Sequence, residues 1–194
     1  MIINSEKKTI CIKIVYYGPA MSGKTTSLRF LFSHFGKEHL IESIENSVGR
    51  TLFFDFGTLT FKGNDWDIKF LLYSATGQDF YASTRTAILK GVDGIIFVVD
   101  GHIEFKNRNK RSWAELEDFF GWNIYSIPII IALNKYDLKE VQAVNHNVLI
   151  DFINFKTFKN IHINKTSAIS GYGILESFQK IVTSLFPQIE FSIL

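Results

Sequence analysis

The stretch GPAMSGKT, residues 18 to 25, constrains this chain more than any other part of it. It follows the apolar run ICIKIVYY directly and precedes Leu28, Leu31, Phe32 and Phe35 at helical spacing, so it joins a buried strand to an amphipathic helix. The pattern is G-x-x-x-x-G-K-[ST] in the context it requires, a phosphate loop. Main-chain N–H groups of Met21, Ser22, Gly23, Lys24, Thr25 and Thr26 then converge on an anion at the positive end of the helix dipole. Pro19 has no N–H to add. Lys24 is placed to reach the β- and γ-phosphates of a nucleotide, and the Thr25 hydroxyl to take one Mg²⁺ position. A plain glycine-rich turn is the competing reading, and the strand-to-helix setting argues against it.

The rest of the chain alternates strand and helix signals. Strands are expected over Ile10 to Tyr17, Thr51 to Phe61, Asp67 to Tyr73, Gly94 to Asp100, Pro128 to Leu133 and Asn160 to Asn164. Trp113, Leu116 and Phe120 make a second helical stripe, and Ile174, Phe178, Ile181 and Leu185 a third. Such alternation predicts an α/β fold: a six-stranded, mostly parallel sheet with helices on both faces. Only Lys62 to Trp66 separate the second and third strands, too few for a parallel crossover, so one edge strand is expected to run antiparallel. At 194 residues the chain reads as a single domain spanning 1–194.

Composition excludes several function classes. A formal net charge of +2 is too small to make nucleic acid the main partner. The one cysteine, Cys11, sits in an apolar run and reads as a buried structural thiol in a reducing, cytoplasmic setting. No apolar stretch is long enough to span a bilayer, Ile2 and Phe191 stand where lipidation signals would need glycine and cysteine, and any membrane contact is expected to be indirect. The five histidines lack metal-ligand spacing. The basic run HIEFKNRNKRS, residues 102 to 112, reads as a solvated loop entering a helix.

A phosphate loop does not choose a base. NKYD, residues 134 to 137, follows the apolar run IIIAL and so lies at the carboxyl edge of the sheet, where open α/β folds bind ligands. The Asp137 carboxylate can accept both guanine donors, N1–H and the exocyclic amine, a pair adenine lacks. Asn134 can brace the base or the loop, and the Lys135 stem can lie against the ring plane. TSA, residues 166 to 168, brings Ser167 and Ala168 to the next strand end, where the Ala168 N–H can meet guanine O6. An ATPase or nucleotide kinase would leave NKYD without a purpose.

GPAMSGKTT, Thr51, ATGQ, NKYD and TSA, in that order, resemble the Ras-like small GTPases over nearly the whole chain. GRTLFFDF, GQDFYASTR and LKGVDGIIFVVD are similar to the bacterial and archaeal MglA-type branch. The resemblance implies a P-loop NTPase G-domain that binds GTP or GDP with Mg²⁺, hydrolyses GTP slowly and uses two loops to control partners. It implies Thr25 and Thr51 as metal ligands, Gly77 as a γ-phosphate contact and Gln78 as the residue that orients the attacking water. Arg50 matches an arginine which that branch inserts from its own chain; a solvent-facing arginine is the alternative. A GTPase-activating partner, in this branch a roadblock-type dimer, is also implied.

Two departures motivate an alternative, a catalytically impaired pseudo-GTPase acting as a nucleotide-binding scaffold. Ser74 stands where the ordinary family pattern has a magnesium-side aspartate, although the MglA-type branch carries a small hydroxyl residue there. Ala20 replaces a second glycine near the γ-phosphate. Asp55 is a substitute for the missing carboxylate only if the strand shifts register, since four extended residues place it about 13 Å from Thr51. Phe80 and Tyr81 either face a partner or pack beneath the second loop.

Overall fold

The computed structural model describes residues 1–45, 52–75, 82–137 and 144–188. Among these described residues eight strands form one sheet: β1 (Ile2–Asn4), β2 (Thr9–Tyr17), β3 (Glu42–Glu45), β4 (Leu52–Phe61), β5 (Asp67–Ala75), β6 (Gly94–Asp100), β7 (Ile129–Asn134) and β8 (Ile161–Lys165). The order is β3-β4-β5-β2-β6-β7-β8, with β1 paired to β2. From β5 to β8 along this order every pairing is parallel, as the long connections demand.

All six expected strands are present. The count rises to eight because β1 and β3 are short strands with little periodic signal of their own. The reversed strand β4 is also not at the edge, since β3 pairs antiparallel outside it. The polar run 102–112 is helical for most of its length, because Asn109, Ser112 and Trp113 turn inward from α3 (Lys106–Phe120). Cys11 is half-buried, beside Ile2 of β1.

Alternate residues of β2 go to opposite faces. Ile12, Ile14 and Tyr16 pack with α1 (Lys24–His34) and α5 (Ile174–Leu185), while Val15 and Tyr17 pack with α2 (Ala82–Leu89), α3 and α4 (His146–Ile150). β6 and β7 are buried along their whole length, so their side chains meet helices on both sides. Burying an aliphatic side chain of this kind contributes roughly 1.5–3 kcal/mol, and these central strands hold the carboxyl edge of the sheet still. That edge carries Ser74, Asp100 and Asn134 at the ends of β5, β6 and β7, with Gly18 and Thr166 one residue past β2 and β8. Among the described residues no helix is long and apolar enough to cross a membrane.

Candidate functional site

The phosphate loop takes its shape from local backbone constraints. Gly23 sits at φ 103 as the residue before α1, and a Cβ there would collide with the Asn134 side-chain amide. Met21 adopts φ 63 with its side chain 84% exposed, so the strained residue faces outward. Lys24 opens α1, which has no acidic residue in its first turn. A cation there opposes the helix dipole. Its side chain is nevertheless buried, and Nζ donates to the Pro19 carbonyl at 2.6 Å. Burial pushes the ammonium down to about 7; the Arg85 charge acts in the same direction and Asp55 opposes it.

A cluster of oxygen side chains, Thr25, Asp55, Ser74 and Ser43, lies beside the start of α1. Thr25 Oγ1 donates to Asp55 Oδ2 at 2.6 Å and lies 3.2 Å from Ser74 Oγ. Ser43 Oγ donates to the other carboxylate oxygen at 2.8 Å. Asp55 thus reaches the Thr25 hydroxyl, while its distance from Thr51 lies outside the described residues. The register that sets Asp55 opposite Ser74 on neighbouring antiparallel strands carries its carboxylate to Thr25. Sequence spacing alone does not reveal that pairing; the only sequence signal is an aspartate inside an apolar strand. Hydroxyl and carboxylate oxygens are the donors that Mg²⁺ accepts, so this set fits that ion.

At the end of β7, Asn134 ties three segments together while buried to 2% exposure. Its Nδ2 donates to Ser22 O at 2.7 Å, and its Oδ1 accepts from Ala168 N at 2.9 Å and from Thr166 Oγ1 at 3.2 Å. Asn134 thus braces the loop, one of the two roles expected for it. The Ala168 N–H, expected to meet guanine O6, here donates to Asn134. Lys135 stands at φ 64 with Nζ donating to Asp100 Oδ2 at 2.6 Å, and Asp137 is exposed at the site's rim. Ser22 Oγ and Ser167 Oγ are buried without a hydrogen-bond partner among the described residues. Gly23, Thr25 and Thr26 lie in the same loop and first turn of α1. Arg50, Thr51, Gly77, Gln78, Phe80 and Tyr81 fall outside the described residues.

Residues 1–185 match the model of the ADP-ribosylation factor family. The chain belongs to that family of Ras-like small GTPases. This small GTPase is 32% identical to the mutual gliding-motility protein MglA of Myxococcus xanthus, over 97% of each chain. It is 26% identical to the Ras-related protein Rab11B of Nicotiana tabacum, over 90% of this chain and 74% of that one. A third relative, the Ras-related protein Rab2BV of Beta vulgaris, is 27% identical over 90% of this chain and 75% of its own. Membership of this small GTPase family implies a switch that binds guanine nucleotide.

Proposed function

We propose that this chain is a guanine-nucleotide switch that binds GTP and GDP with Mg²⁺ and hydrolyses GTP slowly. The observation that carries the reading is Lys24: a buried ammonium on the first residue of a helix, facing the neutral carbonyl of Pro19. A desolvated cation of this kind is stabilised by an anion, and a triphosphate supplies one.

Lys24 holds the β- and γ-phosphates, and the N–H groups of Met21 to Thr26 surround them. Asp137 accepts from the guanine edge, the Lys135 stem supports the ring plane, and Ser167 and Ala168 close the far side. Thr25, with Thr51 in the triphosphate state, would hold Mg²⁺, and Asp55 supplies near it the carboxylate that Ser74 does not. When bound, Mg²⁺ would neutralise charge on the phosphates. Gln78 orients the attacking water, and Arg50 stabilises charge developing on the transferred phosphoryl group, an effect worth roughly 10³ to 10⁵ in rate for an arginine finger. Contacts of the γ-phosphate to Thr51 and Gly77 order two loops that govern partner affinity, and hydrolysis releases them. A GTPase-activating partner, a roadblock-type dimer in the resembled branch, accelerates the step.

Ala20 and Ser74 favour the second reading, a nucleotide-holding scaffold without turnover. Chromatography of the nucleotide released from the purified protein, followed by single-turnover hydrolysis with and without Mg²⁺, separates the two. Guanine with Mg²⁺-dependent turnover supports the switch, guanine without turnover the scaffold, and adenine refutes both. Gln78→Ala and Arg50→Ala are each expected to slow the single-turnover step; unchanged rates in both would remove those roles.

A further inference from the structure

We infer that Asp100 is a positioning residue for base recognition, holding the Lys135 side chain extended so that its methylene stem is a fixed support for the purine ring. The inference rests on the proposed guanine site and adds to it a residue outside the NKYD and TSA segments.

Asp100 ends β6 at 2% exposure, and its main chain is clamped from α3. Asn109, fully buried, accepts from Asp100 N at 3.0 Å and donates to Asp100 O at 2.9 Å. With its backbone held twice, the Cα of Asp100 is fixed, and the bonds its carboxylate makes then set its direction. Oδ1 accepts from the His102 N–H at 3.2 Å and lies 3.1 Å from His102 Nδ1, while Oδ2 takes the Lys135 ammonium at 2.6 Å. A Cβ on the next residue, Gly101, would strike the carbonyl of Asn134, so the end of β6 lies directly against the start of NKYD. Little slack remains between Asp100 and Lys135.

Lys135 is therefore fixed at both ends. Its backbone is in the left-handed region that non-glycine residues seldom adopt, and its ammonium is bonded to a buried carboxylate, with the Phe105 ring centroid 5.7 Å away. A lysine chosen only for surface charge would not have its partner buried, because burying a carboxylate carries a desolvation cost. What the arrangement gains is order before the ligand arrives. Freezing one rotamer-rich side chain on binding weakens affinity about three- to tenfold, and the bond to Asp100 offsets that cost.

The test is a double-mutant cycle on the full chain, read as the affinity and dissociation rate of a fluorescent GDP derivative. The isosteric Asp100→Asn is expected to weaken binding about fivefold in the native background and less than twofold in a Lys135→Ala background. A merely structural role would give the same loss in both, and that result overturns the inference, as does an unchanged affinity for Asp100→Asn alone. Should Asp100→Asn fail to fold, Asp100→Glu moves the carboxylate by one methylene and carries the same expectation through the same cycle. Native protein that shows no guanine binding overturns the proposed function and this inference together, whereas native binding that Asp100→Asn retains overturns this inference alone.

Discussion

Replacing Asn134 by alanine tests whether the Ser22, Thr166 and Ala168 segments are held together by one amide. In the nucleotide-free protein, Asn134→Ala strands the Ser22 carbonyl, bonded at 2.7 Å, and the Ala168 N–H, bonded at 2.9 Å. Both are main-chain groups that cannot turn elsewhere without moving their loops. Thr166 Oγ1, at 3.2 Å, can rotate to a new partner. Each stranded buried group costs about 1–3 kcal/mol, and water entering the space left by the removed amide relieves part of that. The expected loss of unfolding free energy is therefore about 2–4 kcal/mol. Urea denaturation of nucleotide-free protein measures it, with an unchanged slope showing that the folded state is intact. Asn134→Asp is the control: it keeps the acceptor for Ala168 but turns a carboxylate oxygen toward Ser22 O, and should lose at least as much. A loss below about 1 kcal/mol in both variants would refute the claim that Asn134 knits the three segments.

Lys24 makes nucleotide affinity pH-dependent. In the empty site its pKa lies near 7, below the usual lysine value of 10.5, so the unfolded chain binds more protons between those values and the empty protein gains stability as pH rises through that window. A bound polyphosphate keeps the ammonium charged, so binding above pH 7 takes up a proton and affinity falls toward a limit of about tenfold per pH unit. Calorimetry in two buffers of different ionisation enthalpy would detect the uptake, and its absence at pH 8.5 would contradict the buried-cation account. Asp55→Ala should raise the Mg²⁺ concentration needed for half-maximal nucleotide retention about tenfold. Unchanged or tighter Mg²⁺ dependence would instead assign Asp55 a blocking role at Thr25. Gly57→Ala should cost about 1–3 kcal/mol, because a Cβ on Gly57 would press against the ring of the buried Phe32, with Cε1 at 2.8 Å. Phe32→Leu should recover part of that loss in thermal denaturation; no recovery would place the strain elsewhere.

Sequence by itself determined six of the strands, the helices α1, α3 and α5, and the strand-to-helix setting of the GPAMSGKT loop. Apolar runs such as IIIAL and the helical stripe of Leu28, Leu31 and Phe32 act through local periodicity, and GPAMSGKT acts through backbone geometry over eight adjacent residues. These are short-range constraints, readable wherever the chain is ordered by its neighbours in sequence. Tertiary structure decided what lies across strands. β1 and β3 carry too few residues for a periodic signal, and they exist because β2 and β4 offer them a partner. Asp55 comes to Thr25 through the β4–β5 register, and Asp100 comes to Lys135 because β6 and β7 run side by side with a glycine between their ends. A residue type and its position fix what a side chain can donate or accept, but the partner it meets depends on pairing between segments far apart in the chain, and no local pattern encodes that distance.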